Sequence, residues 1–430
     1  MNEYKIHVEN IEYNIEDYPT EFITSLINKG ICMISKDKLK FVATGIIIYK
    51  NKFYVIFPKA YSLPKEENSL LEHIRVLFEV LLKYRREVDI SPEESQLLGG
   101  LAGEHKEELV TAYSIIKDFT QNGLLIKSAK VKSELHTGNI DWATTINRKQ
   151  PIFSGRSVIY NEAISNKKTF NHRNRLYLLH KYCVYKSTEK YGWLLGLTTE
   201  TIGLDKVEIN IETSNTINFL TNELNTTFVE REINVIKMIR DFLSGVEEQE
   251  SDEKIETLIT PYFHNVWEHI CSINFENQYS TLKKVLPKLN WDIESNAVVQ
   301  KQRPDIMVLK ANIMYILDAK YYDINTNLPG WKDIVKQLFY AMTINNNIKS
   351  DKLSLSNKKL ENRLKSIVRI ENVFLFPSGE SEPFKYVGKV SVENNEDFND
   401  IKSYKINTYL AMKCFLGIKQ FNYVKELHGI

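Results

Sequence analysis

Cysteine is scarce in this chain, which has four in 430 residues and no two of them in a C-x-x-C pair. That scarcity fits free thiols in a reducing cytoplasm better than a disulfide framework. Long hydrophobic runs are missing too, since the most apolar stretches, "GIIIY" and "YVIF", are much shorter than a membrane span requires. The polar N-terminus "MNEYKIHVEN" lacks the apolar segment of a signal peptide. We therefore expect a soluble, cytoplasmic protein that has no contact with membranes.

Several enzyme signatures are absent as well. The sequence contains no G-x-x-x-x-G-K-[ST] segment, so the chain cannot itself be a P-loop motor. It contains no H-E-x-x-H and no G-x-S-x-G, so nothing supports a zinc protease or a serine hydrolase. His172, His180 and Cys183 lack a fourth ligand at convincing spacing, and we expect packing or surface roles for them.

Charge of either sign is nearly balanced, because the formal net charge is +1. Its distribution is uneven, however. Residues 131–190 hold eleven Lys and Arg against four Asp and Glu, with Trp142, Phe153 and Tyr160 among the interleaved aromatic residues. Two interpretations stay open: a solvated basic face, or a surface that binds phosphates or acidic groups.

The length suggests two or three domains. The stretch "SGVEEQESDEKIE" is acidic and nearly free of apolar residues, which is typical of an interdomain linker. We therefore expect an N-terminal region at 1–245, with two subdomains possible at 1–130 and 131–245, a linker at 246–256, and a C-terminal domain at 257–430.

The periodicity of the N-terminal region predicts an α+β fold. "KFVATGIIIY" and "KFYVIFPKAY", joined by "KN", predict a β-hairpin, and "SLLEHIRVLFEVLLKY" predicts an amphipathic helix. The C-terminal domain alternates helices and strands, which predicts an α/β domain with a mixed central sheet flanked by helices. The expected elements there are a helix capped by Thr260, a strand near "SNAVVQ", a hairpin at 303–322, a helix with its apolar stripe through Trp331, Ile334, Leu338, Ala341 and Met342, a strand at "NVFLFP", and a closing helix at 397–414.

The hairpin "RPDIMVLKANIMYILDAKYY" carries charges where a sheet would favour apolar residues. If its turn is centred on Ala311 and Asn312, then Asp305 faces Asp318 across the strands. Opposed side chains have Cβ atoms about 4.5–5.5 Å apart, and like charges placed there are destabilising. Because side chains alternate along a strand, Lys320 shares a face with Asp318.

A hard divalent cation would relieve this repulsion, and Mg²⁺ prefers a few carboxylate oxygens together with waters and phosphate oxygens. The plainer alternative is that Lys320 pairs with one aspartate and nothing binds. In the upstream helix, Glu268 could supply a third carboxylate or be an ordinary exposed residue. In the downstream helix, Gln337 and Tyr340 could hold the lysine or a DNA phosphate, or cap the edge of the sheet.

Segments of this sequence resemble two known protein families. "RPDIMV…ILDAKYY" looks like the PD-(D/E)xK nuclease signature, and "VWEHI" and "KQLFY" are similar to the helices that flank it in restriction-enzyme and RecB-like branches. "GNIDWATTINRKQP", "NRLYLLHKYCV" and "YGWLLG" resemble the LlaJI-type restriction endonuclease family. That family is related to McrC, the nuclease partner of a GTP-hydrolysing AAA+ ring.

The resemblance implies a C-terminal PD-(D/E)xK, restriction-endonuclease-like domain that cuts double-stranded DNA with Mg²⁺ in the restriction of foreign DNA. It implies that Asp305 and Asp318 bind the metal and that Lys320 is the catalytic lysine. Glu268 would be a further metal ligand, and Gln337 an accessory residue of the site. It also implies a separate McrB-like AAA+ GTPase subunit, to which the basic segment 131–190 could dock unless it contacts DNA instead.

Two rival functions remain open. One is a repair or recombination nuclease that acts without a GTPase. The other is a non-catalytic module that binds DNA or regulates an AAA+ ring, although a silent module would be expected to have lost a site residue. A nuclease dimer is a further hypothesis, because cleavage of both strands needs two active sites.

Overall fold

The structure is a computed structural model that describes residues 4–100, 108–126, 128–134, 139–170, 174–209, 211–247, 255–287, 302–350, 355–393 and 399–429. Its contacts divide the chain into two compact units. The first unit combines Met1–Leu101 with Glu253–Ile430, and the second is Ala102–Asp252. The second unit is therefore an insertion in the sequence of the first.

The first unit begins with two small sheets and three helices. These elements are β1 (Tyr4–Val8), β2 (Glu12–Asn14), α1 (Thr20–Asn28), β3 (Cys32–Ser35), β4 (Lys38–Phe41), β5 (Thr44–Tyr49), β6 (Lys52–Phe57), α2 (Glu67–Glu87) and α3 (Pro92–Leu97). The hairpin of β5 and β6 confirms the prediction. Lys50 and Asn51 form its turn with φ angles of 48° and 59°, the left-handed pair that a two-residue hairpin turn of this kind requires.

A strand from far along the chain completes the first sheet. Its strand order is β1-β6-β5-β12, where β12 (Ile255–Thr260) pairs antiparallel with β5. All six residues of β12 are buried, and Ile255 and Ile259 pack in one core with Phe22 and Tyr54.

This pairing changes the expected domain organisation. The predicted linker at 246–256 overlaps β12 at its end, and its first two residues belong to α8 (Glu230–Glu247); residues 248–254 lie outside the described residues. The predicted N-terminal region does not form one compact unit either. Its first 101 residues share contacts with the C-terminal part of the chain because β12 completes their sheet.

The C-terminal part of the first unit contains a five-stranded mixed sheet with helices packed against it, as the sequence predicts. Its elements are α9 (Phe263–Asn274), α10 (Tyr279–Leu282), β13 (Ile306–Lys310), β14 (Ile313–Ala319), α11 (Trp331–Lys349), α12 (Lys358–Lys365), β15 (Arg369–Ser378), β16 (Phe384–Val390), β17 (Ile401–Asn407), α13 (Thr408–Phe415) and α14 (Tyr423–Gly429). The strand order is β13-β14-β15-β17-β16. β14, β15 and β17 run parallel, and β13 and β16 are antiparallel strands at the two edges.

One local prediction for this part of the chain is wrong, and two others are wrong in part. Thr260 does not cap α9, because it ends β12 and its hydroxyl donates to Glu94 at 2.6 Å. The closing helix predicted at 397–414 is wrong in its first part, because Ile401–Asn407 form β17 and the helix α13 begins only at Thr408. The predicted apolar stripe of α11 is correct at Leu338 and Ala341, which are buried, but wrong at Trp331, which is 71% exposed, and at Met342, which is 39% exposed. The strand expected near "SNAVVQ" lies outside the described residues.

The second unit combines helices with a small sheet and a hairpin. Its elements are α4 (Glu108–Asn122), β7 (Ser128–Ser133), β8 (Asn139–Ile140), α5 (Trp142–Arg148), β9 (Ile152–Ser154), β10 (Ser157–Ile159), β11 (Ser165–Phe170), α6 (Arg175–Tyr191), α7 (Thr213–Thr226) and α8. Helices α4, α6 and α8 pack against one another. β7, β11 and β8 form one sheet, and β9 and β10 form the hairpin.

Candidate active site

The register of the β13–β14 hairpin confirms the prediction from the sequence. Ile306 pairs with Leu317, and the turn residues Ala311 and Asn312 have φ angles of 44° and 64°. Asp305 directly precedes β13 and therefore lies opposite Asp318, near the end of β14. The backbone N–H of Ala319 donates to Oδ2 of Asp305 at 3.2 Å, which fixes that carboxylate against the neighbouring strand.

Lys320 lies between two carboxylates. Its Nζ is 2.6 Å from Oδ2 of Asp318 and 2.6 Å from Oδ1 of Asp333, and its side chain is 14% exposed. Burial alone would lower the pKa of Lys320, but the contacts with Asp318 and Asp333 outweigh burial and raise the pKa above its ordinary value. Lys320 is therefore a charged hydrogen-bond donor at neutral pH.

A second lysine contacts the same aspartate. Nζ of Lys336, on α11, is 3.4 Å from Oδ1 of Asp318. The side chain of Lys336 is 40% exposed, whereas that of Asp318 is 5% exposed. One buried carboxylate thus carries a lysine on each of its oxygens.

The remaining carboxylates of the site repel one another. Burial, with the negative charges of Asp318 and Glu268, raises the pKa of Asp305 to about 7. Burial also raises the pKa of Glu268, while the charge of nearby His264 lowers it and that of Asp318 raises it. Asp305, Asp318 and Glu268 are therefore within electrostatic range of each other. The role of Glu268 as a metal ligand stays a prediction.

Gln337 and Tyr340 hold the backbone around the site. Nε2 of Gln337 donates to the carbonyl oxygen of Ile316 at 2.6 Å, and Gln337 is 1% exposed. The hydroxyl of Tyr340 donates to the carbonyl oxygen of Arg303 at 3.3 Å. Of the roles left open by the sequence, capping of the sheet edge matches Tyr340, because Arg303 precedes the edge strand β13, whereas Gln337 contacts the interior strand β14. The accessory role of Gln337 in the site stays a prediction.

The N-terminal sheet reaches the site through Tyr321, the residue after Lys320. The Tyr321 hydroxyl donates to Oε2 of buried Glu9 at 2.5 Å, and Lys59 Nζ is 3.3 Å from Oε1 of Glu9. The Thr44 hydroxyl also donates to Glu9, at 3.0 Å. Burial, together with the charge of Glu9, raises the pKa of Tyr321 well above its ordinary value. The position of Lys320 therefore depends on β1, β5 and β6 as well as on its own sheet.

Three residues around the site, Asp333, Lys336 and Glu9, are not among those predicted from the sequence. The first two have a sequence signal, because Asp333 lies four residues before Gln337 and Lys336 lies four residues before Tyr340 on α11. Glu9 has none, since only the tertiary fold brings it to Tyr321.

A cleft of about 750 Å³ opens beside the carboxylates. Glu268 and Asp305 line it, together with polar side chains that include Asn265, Ser272 and Asn277. Asn277 supports the site from this side, because its Nδ2 donates to the carbonyl oxygen of Asp305 at 2.9 Å. The cleft gives solvent and ligands a route to the carboxylates.

The acidic residues fit a hard cation that takes few protein ligands. In the described part of the chain, no group of three or more His, Cys, Asp or Glu side chains is arranged to hold a metal ion. Mg²⁺ does not need such a group, since it is usually held by one or two carboxylates with waters and substrate phosphates. Asp305 and Asp318 offer two opposed carboxylates, and the raised pKa of Asp305 shows a local excess of negative charge that a cation would offset.

The other candidates in the sequence have structural roles or internal partners. His180 is buried, and its Nδ1 accepts from the backbone N–H of Leu125 at 2.9 Å. Cys183 is buried as well, which confirms the packing role for both, while His172 lies outside the described residues. In the basic segment 131–190, Lys149 is within 2.9 Å of both Glu134 and Glu162, so part of its charge is neutralised locally.

A family model described as LlaJI restriction endonuclease matches residues 41–412. The chain belongs to the LlaJI restriction endonuclease family. A curated relative from Bacillus subtilis (strain 168), "Type II restriction enzyme BsuMI component YdjA", is 28% identical over 433 residues; the match covers 94% of this chain and 88% of that protein.

A solved structure also aligns with the chain. It is a refined half-complex from a tetradecameric assembly of Thermococcus gammatolerans McrB AAA+ hexamers with bound McrC, and its matching chain shares 14% identity at a TM-score of 0.44, with 96% of this chain and 99% of that chain covered. A likeness at this level decides neither function nor partner. Among the described residues, the helices are too short or too polar to cross a membrane.

Proposed function

We propose that this member of the LlaJI family is the Mg²⁺-dependent endonuclease subunit of a restriction system and cuts double-stranded DNA. The observation that carries the proposal is the hairpin register, which opposes Asp305 and Asp318 and places Lys320 against Asp318. Membership of a restriction endonuclease family supports hydrolysis of DNA phosphodiesters as the reaction. The C-terminal part of the first unit would then be a PD-(D/E)xK domain.

Asp305 and Asp318 would hold the metal ion, with Glu268 as a further ligand directly or through water. When bound, Mg²⁺ lowers the pKa of its water and offsets charge on the reacting phosphate. Lys320 stays protonated, so it acts by donating hydrogen bonds to the attacking water or to a phosphate oxygen rather than by taking a proton. Asp333 keeps the ammonium in place, and Gln337 fixes α11 against β14.

We infer that a separate GTPase of the McrB-like AAA+ class acts with this chain. The sequence has no P-loop, so nucleotide-driven restriction would need another subunit. The curated relative is itself called a component of a restriction enzyme, which supports a system of several chains. Two copies of the nuclease would cut the two strands. The four free cysteines support action in the cytoplasm.

The test is cleavage of methylated and unmodified plasmid DNA by the purified chain with Mg²⁺, with and without the co-expressed GTPase and GTP. Asp318→Asn removes one carboxylate charge of the site, and Asp205→Asn does the same at an exposed position as the matched control. We expect Mg²⁺-dependent cleavage that Asp318→Asn abolishes and Asp205→Asn leaves intact.

Three other results would contradict the proposal, each in a different part. Cleavage that never depends on the GTPase or GTP would favour a repair or recombination nuclease. Equal cleavage by Asp318→Asn and wild type would refute the site. No cleavage by wild type under any of these conditions would leave a non-catalytic module as the better interpretation.

A further inference from the structure

Two lysines share Asp318, and their surroundings differ. Lys320 is held by a second acid, Asp333, and is mostly buried. Lys336 has Asp318 as its one ion-pair partner within the described residues, at the longer distance of 3.4 Å, and it is more exposed. One lysine is thus locked in the site, and the other reaches it from the solvent side.

The backbone of Lys336 is well fixed although its side chain is 40% exposed. The next residue, Gln337, is buried and bonded to Ile316, which anchors this turn of α11 against β14. Tyr340 lies one turn further on, with its ring centre 5.7 Å from Nζ of Lys336. The helix therefore holds the Lys336 side chain next to Asp318, at the end of β14.

A divalent cation bound at Oδ1 of Asp318 would compete with the ammonium of Lys336 for that oxygen and weaken the contact between Lys336 and Asp318. The groups that then face Lys336 are Asp305, which would share the metal, and Lys320, which repels it. A phosphate that approaches the metal would bring anionic oxygens to the place where this contact of Lys336 is weakened.

We propose that Lys336 binds a phosphate of the DNA backbone at the active site, and that its contact with Asp318 is the resting position of a substrate-binding residue. This inference rests on the proposed nuclease function and adds a second cation with a role distinct from that of Lys320. Lys320 acts on the reacting atoms, whereas Lys336 recruits the backbone that carries them. A long, flexible ammonium side chain suits a phosphate contact without sequence preference.

The experiment measures binding of a fluorescent DNA duplex by the full chain with Ca²⁺, another oxygen-ligated cation, over a series of KCl concentrations. The variants are Lys336→Met and Lys336→Arg. Lys349→Met is the matched control, because Lys349 is exposed on the same helix about 20 Å further along its axis.

We expect Lys336→Met to weaken DNA binding roughly threefold to tenfold and to lower the slope of log affinity against log salt by about 0.9. Lys336→Arg should restore most of the slope, and Lys349→Met should leave it unchanged. In cleavage assays with Mg²⁺, Lys336→Met should raise KM more than it lowers kcat, and Lys320→Met should chiefly lower kcat.

An unchanged salt slope in a folded Lys336→Met would overturn the inference. So would tighter Ca²⁺ binding without any change in DNA affinity, which would make Lys336 a competitor of the metal. If the wild-type chain binds DNA with a salt slope about 0.9 steeper than that of Lys336→Met but never cuts, the proposed nuclease function is refuted and the phosphate contact of Lys336 is supported. Wild-type chain that binds no DNA, alone or together with the co-expressed GTPase and GTP, would refute both.

Discussion

Asp305→Asn should stabilise the metal-free protein while it abolishes cleavage. Wild-type Asp305 must ionise next to Asp318 and Glu268, and burial and these charges raise its pKa from 3.8 to about 7. Asparagine keeps the shape and can still accept the hydrogen bond from Ala319, but it carries no charge. Removal of the repelling charge should therefore favour the folded state.

The magnitude follows from the linkage between the pKa and folding. A shift of about 3 pKa units corresponds to at most about 4 kcal/mol, since each unit is about 1.36 kcal/mol. Solvent screening and relaxation reduce this, so we expect a gain of about 1–3 kcal/mol. The folded state binds the Asp305 proton more tightly than the unfolded state does. Wild-type stability therefore falls between about pH 4 and pH 7, and the advantage of asparagine grows over that range and then levels off.

The assay is chemical denaturation in EDTA at pH 5 and pH 8, alongside cleavage with Mg²⁺. A variant that is less stable than wild type at pH 8 would refute the reasoning. A gain of equal size at both pH values would show that charge repulsion is not its cause. Asp205→Asn serves again as the control for an exposed aspartate.

Three further predictions concern neighbouring groups. Affinity for Mg²⁺, measured by calorimetry, should fall up to tenfold per pH unit below pH 7 because the metal must displace the Asp305 proton; a flat profile would contradict this. Lys320→Met should lower kcat about 100-fold or more and also destabilise the fold, because Asp333 loses its lysine and Asp318 keeps only the longer contact with Lys336; an active variant would exclude the assigned role. Tyr321→Phe should lower the free energy of unfolding by about 1–3 kcal/mol, measured with urea, since Glu9 loses a buried donor; an unchanged midpoint would refute a structural role for that bond.

The sequence predicts the hairpin and its register because both depend on neighbouring residues. The two apolar strands are short, and the turn at Ala311 and Asn312 decides which residues oppose each other. The convergence of Asp305 and Asp318 follows from that register alone. The mixed sheet follows from the order of strand and helix patterns in the C-terminal part.

The hydrophobic residues of α11 predict only part of its buried face, because Gln337 is buried beside Leu338 and Ala341 and donates to a carbonyl of β14. Trp331 stays exposed, and Lys336 lies next to Asp318. A count of apolar positions assigns buried faces to hydrophobic residues and misses a buried amide. The grouping of 1–101 with 253–430 was equally hidden, because the pairing of β12 with β5 joins residues about 200 positions apart.

The pairing of β5 with β12 has a consequence for folding during translation. β5 is made early, but its partner β12 follows only after the whole second unit, so at about 5–20 residues per second the edge of β5 waits roughly 10–40 s on the ribosome. During this interval an apolar strand with unpaired backbone groups is open to self-association or to chaperones. The part of the chain that carries the site can close only when translation is well into its second half, so a prematurely terminated chain leaves neither a nuclease nor a finished first sheet.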